Sequence, residues 1–205
     1  VNKTKALDII TVIGMPLLDN NILYNVAVVI SRGKIIGIVP KVLLCNDDTI
    51  NEERWFSSGK GVDKFITLLN QQVKFSHNIV FKDNENRNIS FKIKIGDSFL
   101  EDNLSNSSTL VLNLAASTAM VGKEDVIRKN VSAISNIYKL GYIYVSSGIN
   151  ETTTDSVFYG KTLICEEGKV LVENRVFDFE SNIIYTDIDV NKIVNHRIKK
   201  GKNNY

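Results

Sequence analysis

Few side chains in this sequence could serve as a nucleophile. Cys45 and Cys165 lie far apart and share no ligand-type spacing with His77 or His196, so no zinc site is expected. Two such cysteines suit free thiols in a reducing compartment better than a disulfide framework, which makes the cytoplasm the default location. Ser98 is a poor nucleophile unless a base activates it. The stretch IKIGDSFLEDNL, residues 93–104, reads as a buried strand running into a corner, and that corner holds Gly96. Glycine has no side chain to attack with.

The rest of the chain must supply the elements that place these residues. At 205 residues it is long enough for one domain with a substantial core, and at 43% hydrophobic and 23% charged its composition is ordinary. A net charge of +2 creates no field that calls for nucleic acid. The basic end NHRIKKGKNNY reads as a solvated tail rather than a binding arm. No apolar run reaches membrane length, and no secretory signal or Gly-rich phosphate loop is visible, so neither a membrane nor a cofactor is expected.

Residues 8–14 (DIITVIG) form a continuous apolar run of buried-strand type. LYNVAVVIS and IIGIVPK, joined by RGK, predict a hairpin. VLLCNDDTINEERWF reads as a polar loop, and VDKFITLLNQQ, residues 62–72, as a short amphipathic helix. NIVFKD and NISFKIKIG predict two strands around the turn NENR. TLVLNLAAS is a second buried strand. Val126, Ile127, Val131, Ile134, Ile137 and Leu140 then share one helical face, predicting a helix from about Glu124 to Leu140. The strand YIYVSSG follows, then a hairpin from SVFYGKTLIC and VLVENRVF, a final strand IIYTDIDV and a helix start at NKIVNHRIKK. Strands in pairs around a single helix give a mixed α/β layer architecture in one domain.

Several of these stretches, in order, resemble one family. They are IGMPLLDNNILYNVAVVISRGKIIGIVPKVLL (13–44), NDDTINEERWFSSG, NLAASTAMVGKEDVIRKN, YVSSGINETTTDSVFYGKTLICEEGKVLVENRVF and IIYTDIDVNKIVNHR. They are similar to the nitrilase-type glutaminase (carbon–nitrogen hydrolase) domain of glutamine-dependent NAD synthetases, and the likeness runs from about Leu7 to Arg197. The resemblance implies an α/β, nitrilase-like αββα sandwich of mixed sheets. VNKTKALDIITVIG then reads as the end of a helix feeding a core strand, as though the first strands were absent.

In that family a cysteine thiolate attacks the glutamine side-chain amide. A glutamate serves as general acid/base, and a lysine supports the charged tetrahedral intermediate. The resemblance carries the lysine onto Lys41, which ends the run IIGIVP where the backbone can aim it into a cleft. Read without the resemblance, it is a solvated surface lysine after a strand. The nucleophile position falls on Gly96, and the helix that would follow has little room in SFLEDNLSNSS. The glutamate belongs to a segment upstream of Val1, and no Ser-Gly-Gly loop of a synthetase domain is present. Glu52, Ser117 and Lys123 match positions associated with glutamine binding, while Asp47, Ile50 and Asn51 replace aromatic pocket residues. Glu151, Thr153 and Asp155 keep the motif ETTTD or simply shape a turn.

The expectation is a glutaminase-like domain that has lost its nucleophile at Gly96 and serves in homo-oligomers or beside a related active subunit. Two alternatives stand with it. One is an active amidohydrolase completed by a missing N-terminal segment or a partner. The other is a small-molecule-binding module.

Overall fold

The computed structural model describes residues 1–46, 50–99 and 108–202, with side chains through residue 200. The chain forms two compact units, Val1–Ile79 and Val80–Tyr205.

The first unit is a five-stranded sheet. Its strands are β1 (Ile10–Asp19), β2 (Ile22–Ser31), β3 (Lys34–Pro40), β4 (Asp63–Leu68) and β5 (Gln71–Ser76), in the order β1-β2-β3-β5-β4. All neighbours are antiparallel except β3 and β5. The predicted hairpin is β2–β3, turned by Arg32 and Gly33 at positive φ. Tyr24, Val26, Val28 and Ile30 point to one face by the period-2 rule and pack with Ile38, Val73 and Phe75. Tyr24 meets Phe75 edge-on at 5.3 Å between ring centres.

Two expectations fail here. Residues 62–72 are the hairpin β4–β5 rather than a helix. Their burial alternates strictly, with Lys64, Ile66 and Leu68 half-buried and Asp63, Phe65 and Thr67 exposed. Leu69 and Asn70 take φ values of 50° and 58°, as a two-residue hairpin turn requires. Asparagine tolerates that conformation and alanine does not, so Asn70→Ala is expected to lower stability by about 1 kcal/mol, read as a shifted urea midpoint. The run DIITVIG is not a buried strand either. It opens β1, an edge strand paired only to β2, which leaves Ile10, Ile13, Met15 and Leu18 exposed.

The second unit is a six-stranded sheet in the order β11-β10-β9-β8-β7-β6. Its strands are β6 (Phe81–Lys82), β7 (Ser90–Ile95), β8 (Leu110–Ala115), β9 (Gly141–Ser146), β10 (Thr162–Glu166) and β11 (Lys169–Glu173). The three central strands β7, β8 and β9 run parallel and the outer pairs antiparallel. Helix α1 (Lys123–Ile137) joins β8 to β9. It buries Ile127, Val131 and Ile134 against Val111, Tyr142, Tyr144, Leu163 and Cys165. Its apolar face is narrower than predicted, since Val126 and Ile137 are exposed.

IIYTDIDV forms no strand, and Ile183 and Tyr185 lie exposed. Strand propensity is realised only against a neighbouring strand, and no described strand offers this segment its edge. The basic end is no solvated tail through residue 200, because it forms helix α2 (Val190–Lys202). Ile193 is fully buried. Arg197 donates to the carbonyls of Lys139 (2.8 Å) and Ser108 (2.7 Å), and Lys200 to that of Ile137 (3.2 Å). The Ile137 and Lys139 carbonyls lie at and just beyond the C-terminal turn of α1, where the helix dipole is negative, and the Ser108 carbonyl lies just before β8. No helix among the described residues is long and apolar enough to cross a membrane.

Candidate functional site

The residues singled out above fall into two clusters, one in each unit. In the first unit, Lys41 leaves the end of β3 with its N–H bonded to the Asn25 carbonyl of β2 at 2.8 Å. Gly59 packs so closely that an added β carbon would lie 2.5 Å from the Pro40 ring, which ties this strand end to the loop beyond it. The Lys41 ammonium pairs with Glu52, and the two side chains are only 10% and 14% exposed. Glu52 opens a one-turn 3₁₀ helix, Glu52–Arg54, which the Asn51 side chain caps through the Arg54 N–H. The Glu52 carboxylate also accepts the Cys45 N–H at 2.7 Å and the Asn25 amide at 3.4 Å. Lys41 is therefore held rather than solvated. A buried ammonium oriented this way is a fixed positive charge of the kind that steadies a developing oxyanion.

In the second unit, the cluster gathers at the C-terminal ends of β7, β8 and β9, where open parallel sheets commonly take ligands. Gly96 directly follows β7 and continues the ladder through its N–H to the Leu114 carbonyl at 2.8 Å. Its φ of 111° lies in the region that favours glycine. Asp97 comes next. Its carboxylate accepts the Tyr144 hydroxyl at 3.0 Å and lies 3.5 Å from the Lys123 ammonium. Burial first, and then the Asp97 charge, push the Tyr144 phenol well above its ordinary range, so it stays a donor.

Lys123 is the first residue of α1 and also donates to Thr118 at 3.3 Å. Ser117 gives its N–H to the Ser146 hydroxyl at 3.0 Å. Its own hydroxyl is fully buried beside the phenols of Tyr144 and Tyr159, without a hydrogen bond of good geometry to either. Next along α1, Glu124 reaches Lys161, which stands just before β10 and is 1% exposed. Lys161 bonds Glu124 at 2.6 Å and Glu173 at 2.7 Å.

The structure thus joins Lys41 with Glu52, and Gly96 with Ser117 and Lys123. Asp47 and residues 100–107, where room for a helix was doubted, lie outside the described residues. The motif ETTTD shapes a turn, with the Thr153 hydroxyl accepting the N–H groups of Asp155 and Ser156. Sequence reasoning gave no role to Asn25, Asp97, Tyr144, Tyr159 or Lys161. Asp97 carried one usable signal, a carboxylate next to the corner at Gly96.

Cys165 is buried, and burial with the Glu173 charge pushes its thiol up to about 11. Cys45 is half-exposed. A thiol reagent at neutral pH is therefore expected to label Cys45 and spare Cys165 in the folded chain, as peptide mapping would show. Among the described residues no group of His, Cys, Asp and Glu could hold a metal ion.

No family model matches the chain. The glutamine-dependent NAD(+) synthetase of Mycobacterium tuberculosis H37Rv is 28% identical over 199 residues, covering 94% of this chain and 29% of that protein. The crystal structure of a glutamine-dependent NAD(+) synthetase from Cytophaga hutchinsonii aligns with a TM-score of 0.78 at 25% identity, over 88% of this chain and 30% of that one. Nit3 of Saccharomyces cerevisiae, a nitrilase-superfamily protein, shares the fold with a TM-score of 0.70 at 18% identity, over 97% of this chain and 66% of its own. The chain therefore spans about 29% of the length of the curated relatives it matches. Its fold is of the nitrilase type, and its sequence is related to part of the glutamine-dependent NAD(+) synthetases.

Proposed function

We propose that this domain does not hydrolyse glutamine and serves instead as a structural, subunit-associating relative of the ammonia-supplying domain, in the cytoplasm. One observation carries the reading. The residue that follows β7, where the family resemblance puts the attacking thiol, is Gly96 at a φ of 111°. Without a nucleophile no thioester forms, however well the surrounding charges are placed. The reading is tested by the intact mass of the purified chain after exposure to an electrophilic glutamine analogue, run beside an ammonia assay. Unchanged mass and no ammonia are expected. An adduct on Cys45, Cys165 or Ser98 would show that the attacking atom has moved and would overturn the reading.

The held Lys41–Glu52 pair favours a second reading, in which the domain is an active glutamine amidohydrolase completed by another polypeptide. It expects glutaminase activity to appear when that polypeptide is supplied and to vanish in Lys41→Ala.

A further inference from the structure

We draw no further inference here: the strongest candidate, the buried side-chain cluster of Asn113, Ser117 and Tyr159 around the end of β8, belongs to the corner already described at the C-terminal ends of β7, β8 and β9, and nothing in the structure shows what it would hold.

Discussion

Lys161→Met is expected to lower stability by about 3 kcal/mol, measured by urea unfolding, the low end of what breaking a buried ion pair costs. The ammonium lies 1% exposed between Glu124 of α1 and Glu173 of β11, and Arg128 also reaches Glu173 at 3.2 Å. Methionine fills similar volume but leaves Glu124 and Glu173 without their shared partner. Those carboxylates keep some contact with water, which places the loss at the lower end of the range. The pH dependence has a definite sign. Burial opposes the Lys161 charge, but the bonds to Glu124 and Glu173 outweigh it and raise the pKa above the ordinary lysine value. The contribution is therefore complete below about pH 10 and fades as pH climbs through the raised pKa. The wild-type chain is expected to lose stability in that alkaline window. Lys161→Met should start lower and decline less. Equal slopes for the two proteins would show that Lys161 is not the group responsible.

Gly96→Cys is expected to change the chain from unreactive to carrying one adduct per molecule with an electrophilic glutamine analogue, located at residue 96 by peptide mapping. The substitution puts a thiol at the corner that ends β7. It also forces a side chain into a φ of 111°, at an expected cost of about 1–3 kcal/mol in unfolding free energy. Labelling should increase with pH through about 8 to 9, where an ordinary thiol ionises. The neighbouring Asp97 carboxylate disfavours a thiolate, and the Lys123 ammonium 3.5 Å from it pulls the other way. A cysteine at 96 that stays unlabelled across this range would mean that the corner does not present its residue to a ligand. The functional reading based on that position would then lose its support.

How far the sequence foretold this molecule depends on where each signal resides. The β2–β3 and β10–β11 hairpins were legible because each states its own pattern, two β-branched runs around a glycine turn. Helix α1 was legible from a single apolar stripe. Residues 62–72 misled because eleven residues with apolar positions 62, 65, 66, 68 and 69 satisfy either period. The turn at Leu69–Asn70 decides between them, and it contains no glycine. The end of the chain misled for another reason. IIYTDIDV has strand composition but no described strand pairs with it, and the cations of α2 read as solvated until the carbonyls they meet are known. In the clusters, Lys41, Glu52, Gly96, Ser117 and Lys123 were found through family likeness. Tyr144 and Lys161 were hidden because a buried tyrosine and a buried lysine look in sequence like any others. Their partners, Asp97 and Glu173, lie 47 and 12 residues away.

The anchoring of α2 to Lys139, Ser108 and Ile137 also bears on the order of assembly during synthesis. Arg197 closes loops back to Lys139 and Ser108, the second across 89 residues. Contacts of such wide sequence separation are slow to form, because the intervening chain must first be brought together. Until α2 leaves the ribosome, α1 can pack on β8 and β9, but the carbonyls beyond its last turn wait for their cations. The second unit is thus expected to mature late and in one step, with α2 as its clasp, whereas the antiparallel hairpins of the first unit can pair as soon as they are made.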